Sequence, residues 1–410
     1  MAKSTMKAVI LAGGRGVELL PLTATRPKPM IPLLGKPILQ YLIEELKSVG
    51  LTDILIVTGY KGEHIHSYFK RGTDFGVNIE YVDQGQKEGI EAAIGSILEY
   101  VQNESEFLML FGDIIAEKGL IQRALNAFEN TQADMAMTLT LQGNTGDFGI
   151  VELDSTGFVK RVGLSKAKGP QRGNYIDAGC FVLRPEIVER IKKAQSLIEA
   201  INVSIKNGMR VVGAIWEKEW FDIGKPWNVL QANQMLLSKI EASKIAKTAV
   251  IESNVVLKNT VIIEDGAIIS SGTVLNGPVY IGPNTYIGNN VLIREYSSIG
   301  ANSLIGFGSE IKNSVLLSNV KAYRLCYIGD SIVGANTVIS SGVMTVNTET
   351  PKREITMNIN GRQVNTGMMK LGAIIGDNCE IGVNSLIFPG RKIAANKVIT
   401  PGSQVKSDTE

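Results

Sequence analysis

The stretch GGRGVELLPLT at residues 13–23 concentrates the residue types that could do chemistry in this 410-residue chain. Gly13, Gly14 and Gly16 lack side chains, so their backbone N–H groups could approach phosphate oxygens closely, as in anion-binding loops. Arg15 among them could present a cation. Glu18 reverses that logic, because a carboxylate stands where a phosphate loop wants positive charge. Two anions a few ångströms apart repel by roughly 1 kcal/mol in water and by several near a protein surface. The only histidines are His64 and His66, ahead of Tyr68 and Phe69 in a segment read as a surface helix. They read as solvated helix residues rather than metal ligands, and a histidine base anywhere else is excluded by composition. Cys180, Cys326 and Cys379 form an odd, scattered set, which argues against a disulfide framework or a zinc site and fits a reducing cytosol.

The chain that must position these residues has 42 basic and 40 acidic side chains, a net +2, with 44% apolar residues. That balance gives no electrostatic reason to expect nucleic acid or a membrane surface as partner. No apolar run reaches the roughly 20 residues of a membrane span. The opening MAKSTMKAVILAGG does not read as a signal peptide, since its short apolar run leads straight into the glycine loop. The length suggests two or three domains.

Residues 6 to about 240 alternate strand and helix patterns. KAVILAG (7–13), DILIVTGY (53–60), NIEYVDQ (78–84) and EFLMLFGD (106–113) read as buried strands. PILQYLIEELKSVG (37–50), GEHIHSYFKRG (62–72) and GIEAAIGSILEYV (89–101) read as the helices between them. This order predicts a Rossmann-like, mostly parallel sheet with helices on both faces. Ligands of such sheets bind beyond the carboxyl ends of the strands, where the glycine loop and the Gly112-Asp113 turn both lie. KPWNVLQANQMLLSKIEASK (225–244) reads as a helix leading out of the domain.

From about 249 to 405 the pattern changes. Positions 251, 257, 263, 269, 275, 281, 287, 293, 299, 305, 311 and 317 are all Ile or Leu, a strict period of six. Glycine often follows, as at Gly282, Gly288, Gly300 and Gly306. The phase breaks near 318–326, resumes at Val333 and Ile339, pauses in a polar segment, and returns from Ile375 to Val405. A helix has no use for a period of six. The period suits a left-handed parallel β-helix of hexapeptide repeats, three short strands to a coil, with the aliphatic residue pointing to the axis.

An α/β half followed by such a β-helix resembles the bifunctional sugar-1-phosphate nucleotidyltransferase/acetyltransferase family, in its archaeal style. The resemblance runs from Met6 to about residue 405. It rests on LAGGRG, PLTATRPKPM, YVDQGQKEG, the GD at Asp113, and WFDIGKPW. It implies that a nucleoside triphosphate and a sugar 1-phosphate are joined with release of pyrophosphate, the sugar phosphate attacking the α-phosphorus directly. It makes Lys28 and Arg15 the catalytic cations, and Gly13, Gly14, Gly16, Gln84 and Gly89 the nucleotide-binding residues, with Gln84 at the base edge. It puts Gly149 and Asp177 on the sugar side and makes Asp113 and Asp222 the ligands of Mg²⁺, an ion that favours carboxylate oxygens. The likeness also implies a homotrimer or a dimer of trimers; a hetero-oligomer with an active paralogue is an alternative that one sequence does not reveal.

The departures from the family pattern fall in both halves. The family loop carries an arginine where Glu18 stands. The family's Gly-Thr becomes Gly89-Ile90. A Glu-Lys-Pro segment is replaced by RVGLSKAKGP, with its lysine shifted to 166 or 168. Asn-Ala-Gly becomes Asp177-Ala178-Gly179. In the second half, the family's His-Leu-Ser-Tyr-(Ile/Val)-Gly-Asp reads RLCYIGD, from Arg324 to Asp330, so the base is replaced by a guanidinium that stays protonated. Tyr327, Asn347 and Lys370 remain of an acetyltransferase-like site, and Cys326 reads as a structural thiol. Two readings stay open: an active sugar-1-phosphate nucleotidyltransferase with a silent β-helix, or a non-catalytic paralogue acting as a nucleotide-sugar-binding regulatory or scaffold subunit. Acetyl transfer as the sole activity lacks its base.

Overall fold

A computed structural model of the chain describes residues 6–85, 89–141, 149–164 and 175–409. Lys7–Leu11 is the central strand of a nine-stranded sheet, flanked in parallel by Asp53–Thr58 and Phe107–Phe111, with Asn78–Asp83 parallel at the edge beyond Asp53–Thr58. On the other side of Phe107–Phe111 the sheet continues antiparallel through Tyr175–Leu183, then Gly149–Leu153 and Val159–Leu164. Met135–Leu141 also pairs with Tyr175–Leu183, and Val211–Ile215 joins it in parallel.

Both faces of the central strands are buried, which explains why these strands are runs of apolar residues rather than alternations. Ala8 and Ile10 belong to one core cluster and Val9 to the other; Ile54 and Ile56 divide from Leu55 and Val57 in the same way. Successive strand residues point to opposite faces, so each strand feeds two cores. Helix Ile38–Ser48 buries Ile38, Leu39, Leu42, Ile43 and Leu46, one helical face. The segment read as one helix at 89–101 is two short ones, Ile90–Gly95 and Leu98–Val101. The helix after Lys225 spans Pro226–Ser238.

Contacts divide the chain into two compact units in a non-linear way. The first holds Met1–Arg15, Pro27–Met30 and Ile38–Asp222; the second holds Gly16–Arg26, Ile31–Pro37 and Ile223–Glu410.

The second unit contains a left-handed parallel β-helix made of three eight-stranded parallel sheets. Val256 pairs with Val274 and Leu275 with Ile293, so one coil is three hexapeptides. Ile263, Ile269, Leu275 and their successors through Ile311 fill one continuous core. Leu257, counted in the periodic run, lies exposed on the first coil. The phase differs from the sequence reading at its end. Ile299 pairs with Leu316 rather than Leu317, and Ile311 pairs with Ile328, so these coils are one residue shorter. The break near 318–326 is therefore a shift in register, with Ala322, Ile328 and Val333 still pointing inward. After Val346 the chain leaves the coil, forms the hairpin of Thr356–Ile359 and Arg362–Asn365, and is back in the coil at Ala373, where Ile332 pairs with Ile374.

The coils turn at asparagines held at positive φ, among them Asn319, Asn336, Asn378 and Asn396. Asparagine tolerates this left-handed conformation better than other residues with a Cβ. These four stack, each donating its side-chain amide to the next at 2.9–3.0 Å. Among the described residues, no helix is long and apolar enough to cross a membrane.

Ile305 is fully buried between adjacent coils. Ile305→Ala should lower stability by about 2–5 kcal/mol and Ile305→Val by about 1 kcal/mol, read as shifts of the urea unfolding midpoint.

Candidate active site

Two carboxylates from distant parts of the chain converge on one lysine. Asp113 follows strand Phe107–Phe111, and Asp222 ends the short strand Trp220–Asp222. That strand pairs antiparallel with Ile114–Ala116, in the register Asp222↔Ile114. The ribbon brings the two aspartates to the same end. Lys28 Nζ lies 2.6 Å from Asp113 Oδ2 and 3.2 Å from Asp222 Oδ1. These oxygens are thus no further apart than those two distances together. Burial alone would lower the Lys28 pKa, but the two carboxylates outweigh it, and the pKa rises above its ordinary value. Lys28 is therefore an ammonium across the physiological range. By linkage it contributes stability that is fully present below its ordinary pKa of 10.5 and is lost only as pH rises through the higher folded value.

The glycines of the loop are positioned by the strand ends. Gly13 follows Lys7–Leu11, Gly59 follows Asp53–Thr58, and Gln84 follows Asn78–Asp83. Gly13 O accepts from Tyr60 N at 3.0 Å, and Gln84 N donates to Thr58 O at 2.9 Å. A Cβ on Gly13 would collide with the Gln84 carboxamide, and one on Gly59 with Gly13 O. Gly13 does not have a positive φ, so glycine here serves the close approach of the Gln84 side chain rather than a backbone conformation. Asp83 Oδ1 accepts from Gly85 N at 2.8 Å and tightens the turn that carries Gln84. Arg15 places its guanidinium 5.5 Å from the centre of the Tyr60 ring, a cation–π contact. Gly89 sits at the N-cap of helix Ile90–Gly95, with φ 109°.

The residues expected on the sugar side lie on the antiparallel extension of the sheet. Gly149 opens strand Gly149–Leu153 and Asp177 lies in Tyr175–Leu183; the two strands pair at Ile150↔Ile176 and Val151↔Tyr175. A bulge interrupts the pairing of Tyr175–Leu183 with Met135–Leu141 between Asp177 and Phe181. Gly179 at φ 77° makes the turn and donates its N–H to Asp177 Oδ1 at 2.8 Å. Burial pushes the Asp177 carboxyl up to about 7, partly opposed by that hydrogen bond. Trp220 Nε1 donates to Ala178 O at 2.9 Å, tying the bulge to the strand that ends at Asp222. The expected lysine at 166 or 168 lies outside the described residues.

In the second unit, Glu18 has a cation. Lys225 Nζ lies 2.5 Å from Glu18 Oε2. The charge reversal in the loop is therefore answered by a lysine that the sequence reading did not assign. Lys225 precedes helix Pro226–Ser238, whose Asn228 side chain accepts from Lys225 N at 2.7 Å. Nothing local in the sequence marks it, because 42 basic residues could pair with Glu18. Gly16 has φ 61°, and its carbonyl accepts from Thr23 Oγ1 at 2.8 Å.

The acetyltransferase-like residues are brought together only in part. Asn347 Nδ2 lies 3.1 Å from Tyr327 Oη and 2.5 Å from Asp330 Oδ2. Asp330 is buried and also accepts from Asn313 at 2.7 Å and Lys312 at 3.2 Å. Arg324 and Lys370 are exposed. Cys326 is buried, its Sγ donates to Ser340 O at 3.2 Å, and burial raises its pKa, so it is a structural thiol. His66, expected to be merely solvated, is 3.2 Å from Thr58 Oγ1 and packs 4.2 Å from the Tyr81 ring.

Comparison with known proteins agrees with this architecture. Residues 7–239 match the profile of the nucleotidyl transferase family, and residues 275–399 match a GMPPB C-terminal domain. A bifunctional protein GlmU of Methanocaldococcus jannaschii is 36% identical over 99% of this chain and 96% of its own length. A bifunctional sugar-1-phosphate nucleotidylyltransferase/acetyltransferase of Sulfurisphaera tokodaii is 34% identical over 98% of both. A solved UDP-glucose pyrophosphorylase bound to UDP-glucose shares the fold at a TM-score of 0.52, covering 57% of this chain and 99% of that one at 20% identity.

The Gly13–Gln84 contact is testable by a double-mutant cycle. Gly13→Ala should destabilise the protein by about 1 kcal/mol or less, since the end of the Gln84 side chain can shift, and by still less when Gln84 is already alanine. Denaturant unfolding of the two single variants and the double variant measures the difference.

Proposed function

Since the chain belongs to the nucleotidyl transferase family and matches the archaeal bifunctional members over its whole length, we propose that it joins a nucleoside triphosphate to a sugar 1-phosphate. The observation that carries this reading is the Lys28–Asp113–Asp222 cluster beside the glycine loop's strand. A phosphate oxygen of the sugar 1-phosphate forms a bond to the α-phosphorus, the bond from that phosphorus to the bridging oxygen breaks, and pyrophosphate leaves. No protein nucleophile is needed. The protein's task is to orient two anions and neutralise their charge.

The residues divide that task. Backbone N–H groups at Gly13 and Gly14 take phosphate oxygens, and Lys28 supplies a fixed ammonium. Arg15, held on Tyr60, is a second cation. The Glu18–Lys225 pair is neutral as a unit, so the reversed charge does not by itself repel a triphosphate. Gln84 offers both a donor and an acceptor to a base edge. Asp177 and Gly149 face the sugar.

Asp113 and Asp222 fit a divalent cation, and we assign them to Mg²⁺. Two hard oxygen donors already converge on a single positive charge, that of Lys28. The ion bound there would screen the triphosphate. Among the described residues no group of three or more His, Cys, Asp or Glu side chains forms a metal site, so other ligands would come from substrate and water. The β-helix, with Arg324 in place of a base, does not perform histidine-based acetyl transfer on this reading. We also propose a trimer working in the cytosol, where Cys180, Cys326 and Cys379 stay as buried thiols. Light scattering on the purified protein tests the trimer.

The direct test is pyrophosphate release with Mg²⁺ across UTP, dTTP, GTP and CTP with glucose-, glucosamine-, N-acetylglucosamine- and mannose-1-phosphate. At least one pair should turn over, and Asp113→Ala should abolish it. Glu18→Arg should leave turnover within about tenfold, since Lys225 already offsets the carboxylate. Lys28→Met should lower turnover by about 100-fold or more. The same variant should bind Mn²⁺ about tenfold more tightly in the absence of nucleotide, because no ammonium competes for the carboxylates. Electron paramagnetic resonance of free Mn²⁺ reads that affinity. A carboxyl group titrating near 7 is neutral below that pH and can donate a hydrogen bond to the sugar. The KM for sugar 1-phosphate should therefore rise as pH increases through about 7, and Asp177→Asn should flatten the profile.

A further inference from the structure

Residues Gly16–Arg26 continue the phosphate loop, yet by contacts they belong to the compact unit that contains the β-helix. One β-helix carboxylate holds them. Asp377 lies in the coil turn after strand Ile374–Ile375, and it is 3% exposed. Its Oδ1 accepts from Ala335 N of the preceding coil at 2.8 Å. Its Oδ2 accepts from Thr25 Oγ1 at 2.6 Å and from the Arg26 guanidinium. Two of its three partners are thus consecutive residues of the loop segment. Arg26 Nε is itself buried without a hydrogen-bond partner. The guanidinium is committed to Asp377 at the cost of its own solvation, which is unusual for a surface staple.

The anchor acts on backbone that matters for phosphate binding. Within the same segment, Thr23 Oγ1 donates to Gly16 O at 2.8 Å, and Leu19 and Leu22 are buried. The segment is therefore fixed at both its beginning and its end. A loop ordered before ligand arrives does not spend binding energy on ordering, so its affinity is higher than that of a mobile loop.

We propose that Asp377 is a positioning residue for nucleotide binding: through Thr25 and Arg26, the β-helix sets the conformation of the segment that follows the phosphate-binding glycines. This rests on the nucleotidyl-transfer reading. It gives the C-terminal half a function that needs no base at Arg324.

The test compares wild type, Asp377→Ala and Asp377→Glu, with Ile381→Ala as a control that removes β-helix core packing without touching the anchor. Measurements are made where circular dichroism shows all four folded. Asp377→Ala should raise the KM for the nucleoside triphosphate by about tenfold or more and leave the KM for sugar 1-phosphate within about twofold. Amide hydrogen exchange at 16–26 should accelerate in Asp377→Ala, and Asp377→Glu should restore part of both effects. Ile381→Ala should lower the melting temperature and change neither KM. If Asp377→Ala lowers the melting temperature but leaves both the nucleotide KM and exchange at 16–26 unchanged, Asp377 is a structural staple and the proposal is wrong. If the wild type releases no pyrophosphate, the nucleotidyl-transfer reading fails on its own. Exchange at 16–26 still decides the anchor: faster exchange in Asp377→Ala keeps it, and unchanged exchange removes it.

Discussion

A single ammonium between two carboxylates organises the α/β unit. Asp113 and Asp222 cannot approach one another without a cation, because like charges at that separation repel strongly in a partly dry site. Lys28 resolves this at 2.6 and 3.2 Å, and the rest of the α/β unit is arranged so that the three meet. Strand Phe107–Phe111, buried on both faces, delivers Asp113. The ribbon of Ile114–Ala116 and Trp220–Asp222 delivers Asp222. The turn Lys28–Met30 delivers the lysine. Breaking one partner of such a partly buried cluster leaves uncompensated charge, which costs on the order of 3 kcal/mol. The cluster therefore shapes the fold, and on the proposed function a bound cation and triphosphate would have to compete with it.

The second half solves a different problem. Its core is a column of aliphatic residues, and the Asn ladder carries the turns between coils. Such a prism is rigid along its axis, since each coil pairs with its neighbours through three parallel sheets. A rigid body of this kind is a good anchor whatever chemistry it carries. Asp377 holding Thr25 and Arg26 is what such an anchor looks like in side-chain terms.

Local patterns made much of this legible in the sequence. Apolar runs placed Lys7–Leu11, Asp53–Thr58 and Phe107–Phe111 correctly, because burial on two faces leaves no room for polar residues. The period of six identified the β-helix for the same reason. The shortened coils at Leu316 and Ile328 escaped the count, since losing one turn residue shifts the numbering without disturbing the inward column. At the site, the glycines, Gln84 and the two aspartates were visible as motifs. The partners of Glu18 and Arg26 were not. Lys225 and Glu18 are separated by most of the first half of the chain, and Arg26 and Asp377 by 351 positions. No periodicity encodes such pairs, and a charge reversal read in isolation looks like a defect when its compensation lies elsewhere.

The most direct measurement of the central claim is the reverse reaction. Purified protein is given Mg²⁺, ³²P-labelled pyrophosphate and a panel of nucleoside diphosphate sugars, beside Asp222→Ala. Attack of pyrophosphate at the same phosphorus should yield labelled nucleoside triphosphate with the wild type and none with the variant. Label that forms equally in both would separate the chemistry from the Lys28–Asp113–Asp222 cluster. No label with any sugar nucleotide in the wild type would contradict nucleotidyl transfer and leave the chain as a binding subunit.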